Sequence, residues 1–225
     1  DRRGFLATLG AGFLSLLWGC NLPTAETADE TAEETTNTSG NDETQNNDTP
    51  PGNDGEDEPL EPTTCEQSAE NTPGPFYRPD APLRSDLTTD VTGTHVEVSG
   101  AVLDTACQPI TNALIDVWQA DNAGDYDHTS DAYLLRGRLY ADASGQYAFT
   151  TIHPGHYPNG GTYRPAHIHM KVSAEGYKDL TTQLYFAGDQ YNDGDPFIVD
   201  TLIMDVIADG DGERCAFDFV LEESL

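Results

Sequence analysis

Residues 153–169, His-Pro-Gly-His-Tyr-Pro-Asn-Gly-Gly-Thr-Tyr-Arg-Pro-Ala-His-Ile-His, concentrate groups that can bind a metal or hold charge. Four histidines (His153, His156, His167, His169), two tyrosines (Tyr157, Tyr163) and Arg164 fall within this one stretch. Up to Gly161 it is rich in Pro and Gly and reads as a loop. From Ala166 the run Ala-His-Ile-His-Met-Lys-Val alternates as a strand does. Side chains two apart on a strand share a face, so His167 and His169 aim together while Ile168 points the other way. Two imidazoles converging from one rigid strand, beside a loop that carries a tyrosine, can make a metal site. A lone His-x-His is more often two ordinary strand histidines, so the surroundings must decide.

Such groups need a frame to position them, and the chain after residue 64 is rich in strand patterns. Residues 96–103 alternate, 104–109 form a turn, and 113–118 follow as the return strand of a hairpin. Residues 147–152, 168–172, 182–186 and 215–221 complete the set, with 197–205 as a short helical turn. Clusters of Gly, Asp, Asn and Pro punctuate them, and no segment has a long helical period. The fold class is therefore all-β: a β-sandwich of short, mostly antiparallel strands with long active-site loops. Residues 65–225 are enough chain for one core.

Several pieces of the 151–169 stretch carry a resemblance: Thr151-Ile152, Pro154-Gly155, Tyr157-Pro158 and the unbroken run Arg164-Pro165-Ala166-His167-Ile168-His169. They resemble the iron-binding segment of the intradiol ring-cleavage dioxygenases, the family of catechol and protocatechuate dioxygenases. Val117-Trp118-Gln119-Ala120, followed by Gly124-Asp125-Tyr126, is similar to that family's other tyrosine segment. Thr72-Pro73-Gly74-Pro75-Phe76-Tyr77 is similar to its segment near the substrate mouth, and further matches extend the resemblance over most of residues 72–221.

The resemblance implies Tyr126, Tyr157, His167 and His169 as ligands of Fe(3+), with Tyr157 also leaving the metal to help take up a catechol proton. It implies Arg164 as the group that stabilises negative charge on the ring, and Gln183 as a hydrogen-bonding residue nearby. The implied reaction joins a small aromatic diol with O2 and cuts between the two hydroxyls to give a muconate-type diacid. Two phenolates and two imidazoles form a hard, anionic donor set that favours trivalent over divalent iron. Tyr126 is expected on a loop at one end of the sandwich, where Tyr157 could meet it. Ring substituents would be chosen by residues 77–84 and 125–130, and an anionic ring would need Arg78 or Arg136 to face the pocket. No ligand role attaches to His95, His128, His153 or His156; His156 could line the pocket, and Tyr163 reads as packing or pocket wall.

The chain has 225 residues and a formal net charge of −30, with 40 acidic residues against 10 Lys plus Arg. Nucleic acid is a poor partner for that charge. Residues 1–20 begin Asp1-Arg2-Arg3-Gly4-Phe5-Leu6 and run apolar to Trp18, the layout of a twin-arginine export signal. Leu17-Trp18-Gly19-Cys20 resembles a lipoprotein cleavage box. A lipid on Cys20 would anchor the protein to the outer face of the cell membrane; a plain cleaved signal with an incidental Cys is the alternative. Residues 21–64 are Thr, Asn, Asp, Glu, Gly and Pro with almost no aliphatic side chain, an acidic disordered tether. Cys65, Cys107 and Cys215 leave room for one disulfide and one free thiol. The pair Cys65–Cys107 is favoured, and the connectivity stays open, as does a homodimer.

A different class competes. The 100–117 hairpin also occurs in transthyretin-like and adhesin-like sandwiches, which would make this a non-enzymatic binding or stalk module. The quartet of Tyr126, Tyr157, His167 and His169 separates the two, because a stalk has no use for it. Zinc or copper with hydrolytic chemistry sits poorly with phenolate ligands.

Overall fold

A computed structural model describes residues 64–224; the export signal, the Cys20 anchor and nearly all of the expected tether lie outside the described residues. Among the described residues no helix is long and apolar enough to cross a membrane. The strands are β1 (His95–Asp104), β2 (Leu114–Gln119), β3 (Arg136–Tyr140), β4 (Gln146–Ile152), β5 (Tyr157–Asn159), β6 (Thr162–Arg164), β7 (His167–Ser173), β8 (Leu180–Phe186), β9 (Ile203–Met204), β10 (Ile207–Asp209), β11 (Gly212–Ala216) and β12 (Phe219–Leu221). One sheet runs β10-β11-β1-β12 with β4 also on β1, the other runs β3-β2-β7-β8-β9, and β5-β6 is a separate hairpin. Pairing is antiparallel except for β1 with β11 and β12, and β8 with β9.

Alternation builds the sandwich. Val96, Val98 and Val102 on β1, Tyr147 and Phe149 on β4, and Phe219 and Leu221 on β12 meet Ile115 and Val117 on β2, Ile168, Met170 and Val172 on β7, and Leu180 and Leu184 on β8 in one buried cluster. Burying each such aliphatic side chain stabilises the fold by about 1.5–3 kcal/mol. Cys215 is buried in the same cluster as a free thiol, and Cys65 is bonded to Cys107.

The expected 96–118 hairpin does not form, because β1 and β2 belong to different sheets. The return begins locally: Leu103 bridges Pro109, and Ile110 N donates to Val102 O. Asn112 then adopts φ 56° and diverts the chain into the facing sheet. The turn itself is set by Asp104, whose Oδ1 accepts from Ala106 N and Gln108 N. The 215–221 strand is likewise two, β11 and β12, and the helical turn expected over 197–205 shrinks to a 3-10 turn at Asp200–Leu202.

Candidate metal centre

The site lies on the face of the second sheet that turns away from the core. Register places Trp118, His169 and Gln183 side by side across β2, β7 and β8, with His167 opposite Tyr185 one step along. Because Ile168 and Met170 go inward, His167 and His169 must go outward together. Both are buried, at 2% and 1% exposure. The Trp118 ring stacks flat on His169, centroids 5.0 Å apart, and the two imidazoles lie 4.9 Å apart. His167 Nδ1 is 2.7 Å from Pro165 O, which fixes Nδ1 as the protonated nitrogen and leaves Nε2 as a lone pair. That Nε2 lies 3.3 Å from Tyr126 Oη. Among the described residues His169 Nδ1 is buried with no hydrogen-bond partner.

Tyr126 arrives on a loop stapled by its own aspartates. Asp121 Oδ1 accepts from Ala123 N and Asp125 N, and Asp127 accepts from Ser130 N and Oγ and from Leu134 N. Burial pulls the Asp127 carboxyl upward, yet the hydrogen bonds from Ser130 and Leu134 win and hold it down at about 2. Two glycines then bring this loop against the one that carries Tyr157. A Cβ on Gly124, at φ +91°, would fall 2.3 Å from His156 O, and one on Gly155 would fall 2.5 Å from Gly124 N. Gly155 N donates to Asp121 O across the same contact. The result sets the Tyr126 and Tyr157 rings edge to face with centroids 6.0 Å apart. Phe76 stacks on Tyr126 at 4.3 Å and meets Tyr157 edge-on.

Tyr157 opens β5 and pairs directly with Arg164 at the end of β6. The guanidinium is 3% exposed and held on all sides. Its Nε donates to Asp195 Oδ2, Nη1 donates to Tyr157 Oη at 3.4 Å, and Nη2 donates to Gln183 Oε1 at 2.9 Å and Tyr185 Oη at 3.2 Å. Gln183 spends its own Nε2 on Thr72 O and Asn71 Oδ1, so its oxygen is fixed toward Arg164.

Burial, and then the neighbouring Arg164, push His167 down to about 4, and burial followed by His167 and Arg164 takes His169 well below its ordinary range. Both imidazoles are therefore neutral at pH 7 with lone pairs available. Burial, reinforced by Tyr157, pushes the Tyr126 phenol well above its ordinary value, so it would ionise only against a cation. Among the described residues no group of three or more His, Cys, Asp or Glu could hold a metal. A metal here must accept phenol oxygens beside two imidazole nitrogens, a donor set that fits iron(III) and suits zinc poorly.

The structure thus brings together all six residues singled out in the sequence: Tyr126, Tyr157, His167, His169, Arg164 and Gln183. Others fall elsewhere. His156 Nε2 lies 2.8 Å from Asp189, and His153 Nδ1 lies 2.7 Å from Glu213. Tyr163 is exposed, with its ring 5.5 Å from Tyr191. Tyr77 turns its hydroxyl to Asp116, and Phe76 takes the place beside the tyrosines. Arg78 is engaged by Ser130 O and Asp127 and lies over Tyr133. Asp189, Asp195, Tyr185 and the stacking role of Trp118 are not anticipated in the sequence. Tyr185 alone had a signal, being two residues from Gln183 on the same strand face.

A family model described as "Dioxygenase" matches residues 72–223. Chlorocatechol 1,2-dioxygenase of Rhodococcus opacus is 40% identical over 147 residues, 54% of this chain and 57% of the relative. Hydroxyquinol 1,2-dioxygenase of the same species is 35% identical over 184 residues, 66% of this chain and 61% of the relative. The chain therefore spans less than two thirds of the length of these curated relatives. Among solved structures, the dioxygenase domain of a dioxygenase carbohydrate-binding protein fusion from Streptomyces sp. SirexAA-E aligns with TM-score 0.66 and 40% identity, covering 71% of this chain and 100% of that one. The 3-chlorocatechol 1,2-dioxygenase of Rhodococcus opacus 1CP aligns with TM-score 0.64 and 30% identity, covering 70% of this chain and 73% of that one.

Proposed function

This chain belongs to the intradiol ring-cleavage dioxygenase family, and on that premise we propose that it is a non-haem iron(III) dioxygenase. It would use O2 to cut a catechol-type ring between its two hydroxyls and release a muconate-type diacid. One observation carries this: a buried arginine, hydrogen-bonded to Tyr157 and Gln183, stands beside two neutral imidazoles and two phenols that converge.

Tyr126, Tyr157, His167 and His169 would hold the iron, which when bound would supply the Lewis acidity that takes a catechol as its dianion and opens the ring to O2. The chain's own residues divide the remaining work. Tyr157 is half-buried on a three-residue strand, whereas Tyr126 is 7% exposed beneath Phe76. As a phenolate, Tyr157 Oη would therefore accept a proton from a substrate hydroxyl and become a phenol. Arg164 cannot lose its proton; burial lowers its pKa, but the bonds to Tyr157 and Asp195 raise it further. It would act as a fixed positive charge where negative charge develops on the ring. Phe76 would form the apolar wall against which the ring packs.

Arg78 is tied to Asp127 and Ser130 O, whereas the buried Arg136 donates only its Nε, to Asp127 O, and among the described residues both of its Nη atoms lack a partner. The acidic charge of the chain favours uncharged rings: catechol itself or a hydroxylated lignin or humic fragment. Export by a twin-arginine-type route and a lipid on Cys20 belong to the same proposal, because an iron-loaded domain suits a route that moves folded proteins. Cys20→Ala should release the protein into the medium; a wild type already free there would remove the anchor.

The purified protein should contain iron and be red to purple from phenolate-to-iron charge transfer. Catechol should shift the colour and give a cis,cis-muconate-type diacid. A colourless protein that takes up zinc in its place, or a semialdehyde product, would overturn the proposal.

A further inference from the structure

Among the described residues the β5–β6 hairpin pairs with no other strand, and nothing lies within 4 Å of where a Cβ would sit on its turn glycines, Gly160 and Gly161. An isolated two-stranded hairpin is marginal in water. Yet this one must hold Tyr157 and Arg164 in register with a centre built on β7. Residues 187–200, which follow β8, supply two carboxylates that grip it. Asp189 Oδ2 accepts from His156 Nε2 at 2.8 Å and from Ala166 N at 2.9 Å, while its Oδ1 accepts from Tyr191 N at 2.9 Å. One carboxylate thus ties the residue before Tyr157 to the residue before His167. Asp195 Oδ2 takes Arg164 Nε, and its Oδ1 takes Phe197 N at 2.8 Å. The Phe197 ring lies 4.6 Å from the Arg164 guanidinium, and its carbonyl accepts from Tyr185 Oη. Both carboxylates are enclosed, with side chains 4% and 1% exposed.

We propose that residues 187–200 are the positioning clamp of the centre: Asp189 fixes the Tyr157 hairpin against the strand of His167 and His169, and Asp195 fixes Arg164. This rests on the function proposed above. The two aspartates are positioning residues, and their effects separate. Asp189 governs where a metal ligand sits, so it governs loading. Asp195 governs only the aim of the arginine, so it governs turnover. A misplacement of this kind costs on the order of 10²-fold in rate, and loss of a bond supporting a ligand costs about 10–100-fold in metal affinity.

The test uses metal-free and iron-loaded full-length protein. Asp189→Ala should speed hydrogen exchange of the Ala166 amide in the metal-free protein and weaken iron binding about 10–100-fold; Asp189→Asn, which keeps one oxygen, should lie between and serves if the alanine variant does not fold. Asp195→Ala should keep iron and its visible band, lose about 10²-fold in kcat with KM nearly unchanged, and cost nothing further when introduced into Arg164→Ala. Unchanged Ala166 exchange in both Asp189 variants would overturn the clamp, as would losses at Asp195 and Arg164 that simply multiply. A wild type that binds no iron would instead sink the function proposed above, and the metal-free exchange experiment would still decide the clamp.

Discussion

The loop that carries Tyr126 and the hairpin that carries Tyr157 are held by opposite means. Around Tyr126 the restraints are local: Asp121 bonds to amides two and four residues on, and Asp127 to amides and a hydroxyl three and seven residues on. Phe76 then covers the ring. Around Tyr157 the restraints are remote: Asp189 lies 33 residues from His156, and Asp195 lies 31 from Arg164. The first arrangement makes a fixed phenol, buried with little room to turn. The second makes a phenol whose position depends on a separate segment and which keeps partial access to solvent. On the proposed function one centre would thereby hold a permanent donor and an exchangeable one, the asymmetry needed if a phenol is to give up its place and accept a proton.

The largest effect should come from breaking the fixed half. Tyr126→Phe and His167→Ala should each abolish iron loading at ordinary working concentrations, read by metal content and the visible band. Tyr157→Phe should weaken iron only about 10–100-fold, so that it still loads at higher iron, with an altered band and turnover lost chiefly in kcat. Equal loss of iron in the Tyr126 and Tyr157 variants would erase the distinction. Next in size is Arg164→Ala, which should keep its iron and its colour change with catechol while losing about 10²–10³-fold in kcat. Loss of metal in that variant would move Arg164 from chemistry to structure.

That contrast also explains what the sequence discloses. The histidine pair is legible because a strand's period of two places His167 and His169 on one face and Ile168 on the other, whatever the rest of the chain does. β1 and β4 follow the same alternation, Val96 and Val98 on one and Tyr147 and Phe149 on the other turning inward. β3 does not: Arg136-Gly137-Arg138 puts two cations and a glycine where a buried strand should show aliphatics, because residues 82–84 pair along its edge and Arg136 reaches out to Asp127 O. Nor does the β5–β6 hairpin, whose Pro158 and paired glycines are loop residues tolerated on an edge. The hairpin expected over 96–118 fails because adjacency in sequence cannot tell a return within one sheet from a crossing to the next. Asp189 and Asp195 stay hidden for a different reason. In a chain with 40 acidic residues, two buried carboxylates look like all the others.

The fixed half should also set the response to acid. Burial holds His167 near 4 in the folded protein against an ordinary 6.5. Between those values the unfolded chain takes up a proton that the folded protein refuses. Stability of the metal-free protein should therefore be fully present above pH 6.5 and fall as pH drops toward 4, by about 3 kcal/mol from this residue. His169 acts in the same direction. Urea midpoints at pH 7.5 and 4.5 would measure the slope, which should flatten in His167→Gln. An unchanged slope would mean that the imidazole is already solvated.

Smallest and most specific is a comparison of two glycines. Gly124 seats the Tyr126 loop against the Tyr157 loop, and a methyl group there would meet the His156 carbonyl at 2.3 Å. Backbone on both sides leaves it nowhere to go, so Gly124→Ala should cost about 1–3 kcal/mol, lower Tm and weaken iron by separating the two phenols. Gly160, at the tip of the hairpin, has φ +62° and nothing within 4 Å. Gly160→Ala meets only the left-handed backbone cost of about 1 kcal/mol and should leave iron binding unchanged, since the clamp grips the hairpin at its base and leaves the tip alone. Thermal melts and iron titrations on the two variants decide it. If Gly160→Ala weakens iron as much as Gly124→Ala does, the hairpin tip takes part in holding Tyr157, and the remote carboxylates are not what fixes it.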